Sequence, residues 1–218
     1  MSQIETVAQG SDEWKALRCG RVTASRVADI LAKTKSGYAS SRANYQAELI
    51  CERLTGTTPE GFTSPAMAWG TAKEPDARAM YEFIAGVDVE QVGFVHHPLI
   101  GMAGASPDGL IGADGLIEIK APNTATHLET LLTESIPKKY ETQMLWQMAC
   151  TGRQYCDFVS FDPRLPAEMQ LFIKRLHLDA KAVAEMEAEV MAFLSELDAK
   201  IAQLSAKFTQ PQQRDAAE

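Results

Sequence analysis

The residues whose types and spacing can do chemistry lie between Ser106 and Lys120. They are Ser106-Pro107-Asp108-Gly109-Leu110, a short polar turn, then Leu116-Ile117-Glu118-Ile119-Lys120. In the second segment, period-two alternation puts Glu118 and Lys120 on one face of a strand and Ile117 and Ile119 on the other, toward a core. Asp108 stands ten residues before Glu118, so a hairpin-like return through Gly112 to Gly115 brings the two carboxylates together. Carboxylates that close repel unless a cation lies between them, and an all-oxygen donor set favours a hard ion, Mg2+ or Mn2+, one or two per site. The backbone carbonyl of Ile119 is a further ligand. Such a centre suits hydrolysis of a phosphodiester, which needs an activated water, a neutralised non-bridging oxygen and a stabilised leaving group. Lys120 would orient the water or help to deprotonate it, the latter only if its pKa falls from the ordinary lysine value. The same spacing also fits a solvent-facing pair on an edge strand beside a plain Asp-Gly turn, and short motifs of this kind recur by chance.

Several elements must position these groups. Apolar residues recurring at three and four predict helices over about 11–18, 23–34, 39–54 and 70–85, punctuated by Gly20, Gly37, Gly56 and Gly86. From Val87 the pattern shortens to strand-like runs, Val87 to His97, Ile100 to Ala105, Gly109 to Ile111 and Leu116 to Lys120, read together as one central sheet. A helix over 137–151, strands over 155–161 and 171–178, and a last helix over 179–208 complete the chain. The expected fold is α/β (α+β): a central mixed sheet flanked by helices, with a helical N-terminal third and a long C-terminal helix. Residues 1–208 are expected to form one domain and 209–218 a frayed polar tail. His96 and His97 have no acid or cysteine at zinc-ligand spacing and read as structural. Asp162 reads as part of the Asp162-Pro163 turn, with a role in positioning a base as the alternative.

The chain has 218 residues and a net charge of −8, unevenly spread. Between Trp14 and Ala47 seven bases face the single acid Asp29, leaving a net −14 on the rest. That split fits an enzyme holding a phosphate backbone at one restricted place, and equally a solvated basic helix face. Cys19, Cys51, Cys150 and Cys156 form no paired motif, so reduced thiols are expected and neither a zinc site nor a disulfide scaffold. No apolar run approaches bilayer-spanning length, and a soluble cytoplasmic protein is expected.

Taken in order along the chain, a set of segments resembles the lambda-exonuclease family of phage-type recombination nucleases, a branch of the PD-(D/E)xK, restriction-endonuclease-like superfamily. The set comprises Asp12-Glu13-Trp14, Leu17 to Ser25, Ala68-Trp69-Gly70 through Glu74, Ser106 to Leu110, Leu116 to Pro122, Tyr140 to Gln143, and Tyr155 to Pro163. The resemblance implies that Asp108, Glu118 and Lys120 are catalytic. It also implies that Glu74 holds a second metal or a water, and that Gln143 is an active-site glutamine. It places the pocket for a DNA 5′-phosphate at Arg18, Thr23 and Ser25, where a helix N-terminus capped by Thr23 would add N–H donors. Met67 falls where the family has an apolar wedge that separates the strands. By resemblance, the activity is 5′→3′ exonucleolysis of double-stranded DNA from an end, leaving a 3′ overhang for annealing-type recombination in a bacterial cell, phage- or prophage-encoded. A homotrimeric ring and a single-strand annealing protein as partner are implied in the same way. Two alternatives stand beside this: a structure- or sequence-specific endonuclease of the same superfamily, and a non-catalytic DNA-end-binding scaffold. The C-terminal helix, apolar at three- and four-residue steps and acidic elsewhere, packs on its own domain or forms a subunit contact.

Overall fold

The protein is described by a computed structural model covering residues 3–58 and 64–209. Nine segments form its first half: β1 (Ile4–Glu5), α1 (Asp12–Arg18), β2 (Val22–Thr23), a 3-10 turn (Ala24–Arg26), α2 (Val27–Leu31), β3 (Lys33–Thr34), β4 (Gly37–Tyr38), α3 (Ser40–Thr55) and α4 (Pro65–Ala85). Strands β5 (Val89–Glu90), β6 (Phe94–His96), β7 (Ala103–Ala105), β8 (Gly109–Ile111) and β9 (Gly115–Lys120) follow. The remainder is α5 (Thr124–Thr133), α6 (Lys138–Thr151), β10 (Tyr155–Phe161), a 3-10 turn (Ala167–Met169), β11 (Leu171–His177) and α7 (Ala180–Thr209).

The strands divide between two main sheets rather than the single one read from the sequence. One has the order β11-β10-β9-β8-β5, the other β1-β6-β7-β2, and β3 pairs only with β4. Within the five-stranded sheet β9 runs parallel to β10 and antiparallel to β8, so the sheet is mixed. The run Val87 to His97 is broken at Gln91–Gly93 between β5 and β6, each claimed by a different sheet.

Helix α6 lies against β6 and β7 of one sheet and β10 of the other. Its Met144, Trp146, Gln147, Met148 and Cys150 are buried, which is why its apolar residues run round more than one face. Helix α4 covers the opposite face of the five-stranded sheet, with Ala77 and Tyr81 packed on Ile117, Ile119, Val159 and Phe161. Tyr81 Oη donates to the buried Asp157 of β10 at 2.7 Å, and Arg175 of β11 closes the network on the same carboxylate. Ser64 caps α4 by accepting from Met67 N, and Pro65 occupies its first turn, so the helix begins five residues before the expected start at 70.

The expected helix over 23–34 is interrupted. The structure has the 3-10 turn at Ala24–Arg26, a short α2, then β3. Val22, Thr23, Ala24, Val27 and Ile30 are buried, and the break between the two turns falls at Arg26, whose φ of −112° and ψ of −4° depart from α-helical values. Helix α7 packs Met186, Val190, Phe193, Leu194 and Leu197 into the main core. Its acids meet the basic N-terminal segment: Lys33 pairs with Glu189, Arg42 with Glu196 and Arg53 with Asp198. Much of the uneven charge is therefore spent inside the fold. The four cysteines are free, and none of the described helices is long and apolar enough to cross a membrane. Residues 210–218 of the expected tail lie outside the described residues.

Candidate active site

Strand register carries the Ser106–Lys120 segment into a site. Gly109 pairs with Ile117, which sets Asp108 opposite Glu118 at the end of the β8–β9 ladder. Asp108 Oδ2 accepts from Ile119 N at 2.7 Å. Gly109 has a steric reason: a Cβ there would run into the side chains of Val89 and Ile117. On β9, Ile117 and Ile119 face α4 while Leu116 and Glu118 face the α6 side, as the alternation predicts. Glu118 is fully buried, so an exposed edge-strand pair is ruled out.

Three side chains hold that buried carboxylate. Gln143 Nε2 donates to Oε1 at 2.7 Å, Gln147 Nε2 donates to Oε2 at 2.6 Å, and Lys120 Nζ pairs with Oε1. Gln143 and Gln147 stand one turn apart on α6. Gln147 was not among the sequence candidates, although its place four residues after Gln143 was the available signal. Its Oε1 accepts from the Cys156 thiol at 3.9 Å, so the amide has one orientation, with nitrogen toward the carboxylate.

A cleft of about 590 Å³ opens beside this group, between the start of α4 and the start of α6. It is lined by Asp108, Ile119, Lys120, Glu74, Met67 and Tyr140, among others. Glu74 reaches it from α4 and pairs with Arg78 one turn along. Pro75 follows Glu74 and lacks the N–H that would bond the Thr71 carbonyl, leaving that wall of the helix with an open acceptor. Met67 is 59% exposed at the rim, not in the core.

Electrostatics at the cleft floor are those of a crowded acidic site. Burial pushes the Asp108 carboxyl well above the ordinary aspartate range; Glu118 and then Glu74 add to this, while Lys120 and the Ile119 N–H pull back. Lys120 moves the other way from what a base requires. Burial would lower its pKa, but the Glu118 and Asp108 carboxylates outweigh it and raise it above the ordinary lysine value. Held by these carboxylates, Lys120 is a cation paired with Glu118.

The donors fit a hard cation in chemistry. Asp108, Glu118 and the Ile119 carbonyl are oxygens, and a carboxyl whose pKa is raised by burial and then by a neighbouring carboxylate marks a place where positive charge is missing. Among the described residues no three His, Cys, Asp or Glu side chains already stand in a coordinating cluster, and Glu74 is engaged by Arg78.

The Arg18 group forms a separate pocket of about 330 Å³, lined by Arg18, Arg21, Thr23, Ser25, Arg26 and Trp14 with the carboxylates Glu48 and Glu52. Arg26 is taken up by Asp29 and Glu48, whereas Arg18 has no carboxylate in ion-pairing range among the described residues. The Arg18 guanidinium lies 4.2 Å over Trp14 and donates to Ser106 Oγ at 3.1 Å, and burial lowers its pKa. Thr23 stands at the N-cap position but makes no side-chain cap bond, and only a 3-10 turn follows. The expected helix-N-terminus contribution is therefore absent, and the pocket is a guanidinium pocket with the Ser25 hydroxyl exposed beside it. A third cavity borders both: it shares Trp14 with the Arg18 pocket, and Thr71 and Glu74 with the Asp108 cleft.

His97 is buried, as its structural reading requires. Its Nδ1 accepts from Leu99 N and Ile100 N, so the proton sits on Nε2, 3.1 Å from Glu187. Asp162 is more than a turn residue: fully buried, it holds Arg164.

Known structures share this fold. The chain superposes on an alkaline exonuclease, LHK-Exo, from Laribacter hongkongensis with a TM-score of 0.86 and 54% identity, over 92% of this chain and 99% of that one. The structure of LHK-Exo in complex with dAMP matches with a TM-score of 0.87 at the same identity and coverage. A phage-related exonuclease from Haemophilus somnus 129PT shares the fold, with a TM-score of 0.69 at 14% identity over 85% of this chain and 96% of that one. No curated protein sequence matches. The fold is thus mixed α/β of the restriction-endonuclease-like kind. Since the YqaJ-like viral recombinase domain matches residues 13–154, across both pockets and the β8–β9–α6 site, the chain belongs to that family.

Proposed function

We propose that the protein is a metal-dependent exonuclease that degrades double-stranded DNA from an end in the 5′→3′ direction, leaving 3′ overhangs for annealing-type recombination in a bacterial cytoplasm. The observation that carries this reading is Asp108, set opposite the buried Glu118, lining a cleft together with Lys120 and Glu74. Asp108, Glu118 and the Ile119 carbonyl would hold Mg2+ or Mn2+, one ion or two, with Glu74 as the added carboxylate. A bound ion of this kind supplies charge neutralisation at phosphate oxygens and a more acidic water.

The chain's own residues do the rest. Gln147 and Gln143 aim the Glu118 carboxylate, and Lys120 donates to oxygen at the reacting centre as a cation. Arg18, with Ser25 and Thr23 alongside, binds the 5′-phosphate of the entering strand by charge-assisted hydrogen bonds. The cavity that borders both pockets, at Trp14 and at Thr71 and Glu74, would carry the strand between them. Met67, exposed at the rim, would act as the wedge. The LHK-Exo relatives support the exonuclease reading over an endonuclease. Assembly as a homotrimeric ring and partnership with a single-strand annealing protein belong to the same proposal.

Linear 5′-phosphorylated duplex and closed circular duplex, each incubated with Mg2+ and with EDTA, test the proposal. Mononucleotide release from the linear substrate alone, only with Mg2+, is the expected result. A nicked or linearised circle would establish the endonuclease instead, and intact linear DNA would sink the enzymatic reading.

The Asp108 environment also predicts a linkage between metal and pH. Its carboxyl has a raised folded-state pKa, so its contribution to stability is complete below the unfolded value of about 3.9 and is lost as pH rises through the folded value. A metal ion takes over from the proton as pH rises. The gain in melting temperature on adding Mg2+ is expected to be small near about pH 5 and larger near about pH 8. Equal gains at both would show that Asp108 does not exchange its proton for the ion.

A further inference from the structure

Arg164 lies in the β10–β11 connection, outside every role assigned so far, and it is held with unusual care for a residue whose side chain is 46% exposed. The fully buried Asp162 receives its guanidinium in a fork, Nε to Oδ1 at 2.7 Å and Nη2 to Oδ2 at 3.0 Å. Nη2 also donates to the Pro122 carbonyl at 3.3 Å, and the guanidinium lies 4.7 Å from the Trp69 ring. Burial opposes ionisation of Asp162, yet hydrogen bonds from Arg164 and Thr124 carry its pKa down to about 2, so the carboxylate is charged throughout the working range.

This clamp stands at the catalytic cleft. Pro122, whose carbonyl Arg164 meets, lines the cleft two residues beyond Lys120. Arg164 thus meets the cleft at Pro122, whereas the cavity that shares Trp14 with the Arg18 pocket meets it at Thr71 and Glu74. The two hydrogens on its Nη1 have no partner among the described residues. An arginine fixed on three sides by a buried acid, a carbonyl and an indole, with one edge unspent, is preorganised for an anion.

We infer that Arg164, oriented by Asp162 and Trp69, is a backbone-phosphate contact for the DNA entering the cleft, beside Pro122. The inference rests on the DNA-end reading above. Its ligand is a phosphodiester oxygen and not a base, since the fork that could read a base edge is spent on Asp162.

The test is binding of a 5′-phosphorylated duplex end by fluorescence anisotropy in EDTA, across a salt series, for the native chain, Arg164→Ala and Arg164→Lys. One lost phosphate contact lowers the slope of log Kd against log salt by about 0.9, so Kd of Arg164→Ala changes about 3.5-fold less than native between about 50 and 200 mM salt. Arg164→Lys keeps a charge and is expected to keep most of the slope. A native slope in Arg164→Ala overturns the inference, as does weaker binding with an unchanged slope or an equal slope loss in both variants, each pointing to a packing role on Trp69. The two readings fail separately. A native chain that cuts linear DNA while Arg164→Ala keeps its slope sinks only this contact; a native chain that never cuts while the slope falls sinks only the nuclease.

Discussion

Asp108→Asn is expected to melt at a higher temperature than the native chain in EDTA and to cut DNA at least about a thousandfold more slowly in Mg2+. The first effect follows from the carboxyl's raised pKa: burial and the adjacent Glu118 disfavour its charge, and an amide has none to disfavour. Asparagine also keeps an oxygen to accept from Ile119 N, so the end of the β8–β9 ladder stays in place. The second effect follows because an amide is a poor ligand for a hard ion. Losing about 4 kcal/mol of transition-state stabilisation is about a thousandfold at 1.36 kcal/mol per decade. Thermal melts and single-turnover rates on linear duplex read the two effects. A variant that is both less stable and still active would show that Asp108 is a structural turn residue.

Arg18→Ala is expected to erase the preference for 5′-phosphorylated over 5′-hydroxyl ends. The guanidinium is partly desolvated, stacks on Trp14 and meets no carboxylate among the described residues, so an incoming phosphate supplies the missing counter-charge. A hydrogen-bonded charged contact is worth about 1.5–3 kcal/mol, which is about ten- to a hundredfold in rate on phosphorylated ends at low substrate. Hydroxyl ends should be cut by the variant as by the native chain. Arg18→Lys restores the charge without the planar fork or the stacking and should recover only part of the preference. Initial rates on the two duplexes decide it; an unchanged ratio would remove Arg18 from end recognition.

How legible the site was varies residue by residue. Asp108, Glu118 and Lys120 could be found because strand alternation and a tight return are local rules, and the same rules place Ile117 and Ile119 against α4. Gln147 was missed because nothing local distinguishes a buried amide aimed at a carboxylate from a helix-surface glutamine; only the packing of α6 on β10 does so. Helix α5 was missed for the opposite reason. It buries polar His127 and Thr130 while Leu128 and Leu132 are exposed, inverting the apolar pattern by which a helix is recognised. His127 is satisfied by Ser160 Oγ at 2.7 Å and the Met169 carbonyl at 2.8 Å, both distant in sequence. Asn123, capping Thr126 N, was the surviving local signal.

The charge pattern shows the same division. Composition established that Trp14 to Ala47 is basic, but three-dimensional packing decided what the charges do: Lys33 and Arg42 neutralise acids of α7, Arg26 is consumed by Asp29 and Glu48, and Arg18 stays available. By itself the sequence determined the helices and strands with strong periodicity, the acid–acid–lysine order and the face of β9 on which Glu118 stands, because these depend on neighbours a few residues apart. Only the tertiary structure decided the split into two sheets, the amide grip on Glu118, the cationic state of Lys120 and the clamp on Arg164. Burial, pKa and hydrogen-bond partners are set by residues brought together from opposite ends of the chain, and no local pattern encodes them.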